Sequence, residues 1–357
     1  MHNKYFTSKD DATKAELLLA KKLPTYRQAY SDRTAWIMSV MAELAYIRFN
    51  PLFPESGTNE FIRDHFIKNV ESLIGNEKSK IVSTLINKIN YDHTVEKARL
   101  EGNLDEFKFK LLKTFDTNGT QAILVDAGSY IILSFRGTEA DSLQDIRSDT
   151  KANITKCAVS EGNIHSGFRD AFECIRREVE DEINKVQYLE KPLFITGHSL
   201  GGALATVATK YLTHKGGIAA CYTFGSPRVG NDDWVNNIKT PIHRLVNAAD
   251  SVSMLPPGDV AISTASFLLR FIPSIGEPIS KWLSDKFGRY MHAGNMRYLT
   301  NCKPGDFSDV RVLYSVSFTY RIKALIVKSL PFGKLLSDHS ISTYSKKLMI
   351  IAIKRNQ

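Results

Sequence analysis

Five residues, Gly197-His198-Ser199-Leu200-Gly201, constrain this chain more than any other feature. A strand-like apolar run, Leu193-Phe194-Ile195-Thr196, leads into them, and an alanine-rich, helix-like run, LGGALATVATKYLTH, leads out. A serine held on a sharp strand-to-helix turn needs neighbours with almost no side chain, which the two glycines supply. The same turn sets the first backbone N–H groups of a helix, and the positive end of its dipole, beside the serine oxygen. The bare G-x-S-x-G pattern is a common chance match. Strand before, helix after, and Gly202-Ala203 for close packing make Ser199 a candidate nucleophile. The plainer reading is a glycine turn whose serine only caps the helix.

The surrounding pattern suits such a turn. From about residue 108 three strand-like runs follow one another, KFKLLKTFD, QAILVDAG and SYIILSFRGT, with Asn-Gly and Gly-Ser turns between them. Strand and helix patterns then alternate. The run HSGFRDAFECIRREVEDEINKV places Phe168, Phe172, Ile175, Val179, Ile183 and Val186 on one helical side, and AACYTFGS and IHRLVNAAD read as buried strands. Alternating elements after a short antiparallel start predict the α/β class, with a mostly parallel sheet covered by helices. Upstream, a Ser/Asp cap at Ser31-Asp32 precedes AWIMSVMAELAYIRF, whose Ile37, Val40, Met41, Leu44 and Ala45 predict an amphipathic helix with one buried stripe. The expected organisation is a polar preface over 1–33, a helical region over 34–107 packing on the core, and the α/β core over 108–357 with an apolar insertion at 258–288.

A serine nucleophile needs a base, and the base an orienting carboxylate. In α/β hydrolases the chain order is Ser, Asp/Glu, His. Asp250 closes the strand-like IHRLVNAAD, and His292 and His339 are the two histidines that follow it. His198 adjoins the nucleophile, and its side chain is expected to point away from the reacting face.

From about residue 115 to 348 the chain resembles the class 3 lipase family, the fungal triacylglycerol lipase type of α/β hydrolase. The resemblance rests on Phe135-Arg136-Gly137-Thr138, His165-Ser166-Gly167-Phe168, the elbow through Gly202, the run from Thr223 to Asn231, and Arg244-Leu245-Val246-Asn247 leading to Asp250. It implies Ser199 as nucleophile and Asp250 as the triad acid. Thr138 and the Leu200 N–H take the two oxyanion-hole places, and Arg136 is a structural tie. For the base it implies His339, in the segment Asp338 to Tyr344 that opens a closing helix. His292, in Tyr290-Met291-His292-Ala293-Gly294, is the alternative. The polar segment from Glu139 to Ala158 and the insertion at 258–288 are the two lid candidates.

Composition excludes other classes. Hydrophobic residues are 43% and charged residues 24% of 357, near globular averages, so a disordered or fibrous chain does not fit. Cys157, Cys174, Cys221 and Cys302 form no CxxC pair or Cys/His cluster, so neither a metal site nor another cofactor is expected. No apolar run reaches the roughly 20 residues of a membrane span, and the start lacks a cationic region followed by an apolar one. The expected location is therefore cytoplasmic, or secreted without a cleaved signal peptide, and not integral to a membrane. Nine Lys/Arg against the single acid Asp338 in 311–357 carry most of the net charge of +9. Such a tail either touches an anionic lipid surface or forms a solvated face. The expected function is a serine carboxylester hydrolase cleaving acylglycerols or phospholipids, with a lipid ester as partner and no nucleic acid. The alternatives are a phospholipase-type toxin or effector and a non-catalytic lipase-like scaffold.

Overall fold

The computed structural model describes residues 9–20, 29–49, 92–137, 154–256, 262–263, 277–279, 281, 290–303, 305–321, 323 and 338–356. Its helices are α1 (Lys9–Ala20), α2 (Asp32–Leu44), α3 (His93–Glu106), α4 (Ser166–Ile183), α5 (Leu200–Tyr211), α6 (Asp232–Asn236) and α7 (Ile341–Asn356). The strands are β1 (Lys110–Thr117), β2 (Thr120–Asp126), β3 (Ile131–Phe135), β4 (Ile154–Lys156), β5 (Asn163–His165), β6 (Leu193–His198), β7 (Ile218–Phe224), β8 (Ile242–Asn247), β9 (Asn295–Leu299) and β10 (Val312–Tyr314). Residues 47–108 form a compact unit of their own, and the rest of the chain forms the other. In the smaller unit α3 starts at Asp92, whose Oδ1 accepts the Thr94 N–H at 2.8 Å.

The larger unit is built on an eight-stranded sheet in the order β1-β2-β3-β6-β7-β8-β9-β10. Pairing is antiparallel from β1 to β3, parallel from β3 through β6, β7 and β8 to β9, and antiparallel again at β10. This is the α/β-hydrolase architecture. Alternation along each strand sorts the two faces. Leu133, Ile195 and Cys221 enter the core under α4 and α5 together with Phe172, Ile175, Val179 and Val207. Ser134 and Thr196 point the other way, where their hydroxyls donate to Met41 O and Met38 O of α2. All of the hydrophobic side predicted for α4 is buried except Val186, which falls beyond the helix end and is 86% exposed.

The cap predicted for α2 is present, with Ser31 Oγ accepting from Thr34 N. The single buried stripe is not. All positions of α2 except Glu43 are buried, because the sheet covers one side and α7 another. Asp32 tolerates this through Arg355 of α7, whose Nη1 lies 2.6 Å from Asp32 Oδ2. Most of the apolar insertion and of the polar lid candidate, together with Thr138, lies outside the described residues. The end of the polar segment, Ile154–Lys156, is β4, paired antiparallel with β5.

Candidate active site

Ser199 sits between β6 and α5 with φ 56° and ψ −126°, a left-handed backbone that a residue with a Cβ rarely adopts. Its N–H donates to Phe224 O of the neighbouring strand at 2.9 Å, which holds the turn against β7. A Cβ on Gly197 would collide with Gly201, and one on Gly201 would collide with the end of β3. The glycines are thus required by close approach of three backbone segments. Ser199 Oγ is buried and has no hydrogen-bond partner among the described residues. Leu200 opens α5, so its N–H belongs to the first turn, where a helix offers no internal acceptor.

Asp250 and His339 meet although 89 positions separate them in the chain. His339 Nδ1 lies 3.0 Å from both carboxylate oxygens of Asp250. Asp250 Oδ2 also accepts from Tyr344 OH at 2.6 Å, and Oδ1 from Val252 N at 3.0 Å. Burial alone would raise the acid's pKa. Electrostatic attraction and the hydrogen bond from His339 Nδ1, then the Tyr344 hydroxyl and His198, outweigh it and hold Asp250 below the usual carboxylate range. Nδ1 of His339 therefore carries the proton and Nε2 is left as an acceptor. That Nε2, like Ser199 Oγ, is buried and unpartnered among the described residues. The arrangement can draw a proton from a hydroxyl and stabilise the resulting imidazolium.

The family model described as Lipase (class 3) matches residues 132–260. That segment is similar to the class 3 lipase family. Over 100 residues the chain is 39% identical to "Secreted mono- and diacylglycerol lipase 1" of Fusarium solani, covering 26% of this chain and 30% of that protein. It is 32% identical over 165 residues to "Lipase" of Rhizomucor miehei, covering 42% and 44%. The chain thus spans less than half the length of these two relatives. The native propeptide complex of the Rhizomucor miehei lipase superposes with TM-score 0.47 at 23% identity, over 85% of this chain and 93% of that one.

Within the matched segment and around it, the remaining sequence candidates separate. His292 is not with Asp250's carboxylate; its Nε2–H donates to Ser253 O at 2.8 Å. Burial, then the charges of Arg244, Arg228 and Arg321, keep His292 well below its usual pKa. His198 is buried, with its ring centre 4.5 Å from that of His339. Its Nε2–H donates to the His339 carbonyl at 2.6 Å, so Nδ1 accepts from Tyr46 OH at 2.8 Å. Burial and then His339 lower His198 to about 3, which leaves the ring neutral. Arg136 Nη1 donates to Gln121 Oε1 at 2.7 Å, and its guanidinium lies 5.9 Å from the Tyr46 ring centre, ties that restrain the β3 end.

Three contributors had no role in the sequence reading: Tyr46, Tyr344 and Gly225. Gly225 has φ +57°, and a Cβ there would come 2.5 Å from Asp250 Oδ2 and 3.0 Å from His339 Nδ1. The Asp–His pair packs directly on the end of β7, so the glycine of Thr223-Phe224-Gly225-Ser226 leaves room for it. The segment carrying His339 is tied to β8 by Asn247 Nδ2, which donates to Asp338 O at 2.8 Å, and by Ala249 N, which donates to Asp338 Oδ2 at 3.1 Å. Tyr344, five positions after His339, closes the segment that marked His339 in the sequence, but its contact with Asp250 does not follow from the sequence.

Proposed function

We propose that the chain is a serine carboxylester hydrolase acting on acylglycerol esters. Ser199 Oγ attacks the ester carbonyl while His339 Nε2 takes its proton, and Asp250 stabilises the imidazolium. The tetrahedral oxyanion is received by the Leu200 N–H and by Thr138. His339 returns the proton to the leaving alcohol, an acyl-Ser199 ester remains, and a water activated by the same Nε2 releases the fatty acid. Each pre-aimed oxyanion donor is worth about 3–4 kcal/mol in the transition state. The observation that carries this reading is the buried Asp250–His339 pair with a free Nε2, in a chain whose serine sits unpartnered on a strained elbow.

Acylglycerols are preferred to phospholipids because two of the C-terminal cations, Lys347 and Arg321, are buried and not open to an anionic surface. Lys347 is buried and bonded to Asn247 Oδ1 and Thr300 O, Arg321 is buried, Arg355 pairs with Asp32, and Lys354 Nζ meets Ser308 O. Relatives named for mono- and diacylglycerol lipase activity support the same preference. The test is a substrate panel of monoacylglycerol, diacylglycerol, triacylglycerol, phosphatidylcholine and phosphatidylglycerol, run with wild type and Ser199→Ala. The reading requires acylglycerol turnover that disappears in Ser199→Ala. Phospholipid turnover alone overturns the substrate class, and no turnover in either protein overturns the activity.

A further inference from the structure

Three arginines and His292 converge on the loop that carries Asp250. Arg321 Nη2 donates to Ser253 Oγ at 2.6 Å and lies 3.5 Å from Asp250 O. Arg228 Nη1 donates to Met254 O at 2.6 Å and also reaches Pro256 O. Arg244 comes from β8, on the strand face it shares with Ile242 of the α4/α5 core. Its guanidinium is close enough to Arg321 and Arg228 that, after burial, their like charges bring it down to about 9, still cationic at neutral pH.

Among the described residues Arg244 has no counter-charge, and Arg321 has only Asp250. Arg244 is 6% and Arg321 3% exposed, and Arg244 Nε and Nη1 and Arg321 Nε are buried donors with no acceptor among the described residues. The strand neighbours of Arg244 are Thr223 on β7 and Met296 on β9, so the sheet offers it no carboxylate. Asp250 is the acid that acts on Arg321, but its oxygens are committed to His339, Tyr344 and Val252. A guanidinium does not escape by losing its proton, and a buried charge without a partner is strongly unfavourable.

We propose that Arg244 and Arg321 form a binding site for one small oxyanion of the phosphate class, seated beneath the Asp250 loop. Guanidinium forks suit the oxygens of such an anion. Charge balance selects among anions. One dianion gives both arginines a charge that does not draw on Asp250, which His339 and Tyr344 already hold, whereas a fatty-acid carboxylate or a lipid phosphodiester brings a single charge. The bound anion would brace the loop whose backbone Arg321 and Arg228 already hold. The site does not depend on the hydrolase reading, since neither Ser199 nor an ester takes part.

The test is thermal unfolding of protein purified without phosphate, titrated with inorganic phosphate against sodium chloride at equal ionic strength. The expected result is a saturable rise in Tm of about 3 °C at roughly ten times the Kd. Arg244→Met should abolish that rise. Equilibrium dialysis of the wild-type protein against labelled phosphate should find one anion per chain, which keeps the test decisive if the variant does not fold. A soluble short-chain phosphatidylglycerol, tested alongside, should give no rise. The proposal is overturned if phosphate acts no differently from chloride and dialysis finds no bound anion. It is equally overturned if Arg244→Met keeps the full response, or if the phosphodiester stabilises the protein and phosphate does not.

Discussion

A histidine accepts a proton at Nε2 only while Nδ1 keeps its own, and Asp250 imposes that state on His339 through contacts of 3.0 Å to both oxygens. His292 is spent on a main-chain carbonyl. His339→Ala should therefore lower kcat by about three to six orders of magnitude, on the pattern of other triad knockouts. His292→Ala should keep kcat within a few-fold and lower the unfolding midpoint in urea. The opposite pattern would transfer the base to His292. His198 allows a prediction about acid stability. Its pKa is about 3 in the folded chain, against 6.5 for an unperturbed ring. Between those values the unfolded chain binds a proton that the folded chain refuses, so stability is full above about pH 6.5 and declines as pH falls. Melting temperature followed from pH 7 to pH 5, above the carboxylate range, should drop, and should drop less in His198→Gln. An identical slope in the two proteins would show that His198 is protonated in the fold.

At the scale of elements, the ends of β7 and β8 and the start of α7 decide how well the pair is held. Gly225→Ala puts a methyl group against Asp250 and His339 at a positive φ, and a displaced pair should lower kcat by about a hundredfold while the chain stays folded. Unchanged turnover would show that the pair shifts freely. Lys347 reaches from α7 to Asn247 of β8 and to Thr300 O just after β9. Lys347→Ala leaves those buried acceptors unpaired and should cost about 1–3 kcal/mol in urea unfolding, against less than about 0.5 kcal/mol for the neighbouring Lys346→Ala. Equal costs would mean that Lys347 contributes no more than a surface charge. The alternating runs from residue 108 onward were legible because a sheet covered on both faces leaves continuous apolar strands between helical patterns. The full burial of α2 was not legible, because α7 supplies its second cover from more than 290 positions away. Strand β10 was missed because three residues carry too little period to read.

For the molecule as a whole, what was legible in the site follows local chemistry. Ser199 announces itself because its turn has a rigid glycine requirement on either side, and Asp250 because an apolar strand stops at an acid. Tyr46, Tyr344 and the buried arginines were invisible as site residues, since their partners lie on other elements and single-residue chemistry does not specify a partner. Net charge misleads in the same way. The surplus of +9 gathers near the C-terminus in sequence, yet Arg321 and Lys347 are buried and Arg355 pairs with Asp32, so the count overstates the charge offered at the surface. The central claim is that Ser199 is the nucleophile and that the His339–Asp250 pair activates it. Its most direct test is mass spectrometry of the protein after reaction with a fluorophosphonate, with peptide mapping of the adduct. The account predicts one adduct per chain, on Ser199, absent in Ser199→Ala and formed at least about a hundredfold more slowly in His339→Ala. An adduct on another residue, or labelling of wild type and His339→Ala at the same rate, would contradict it.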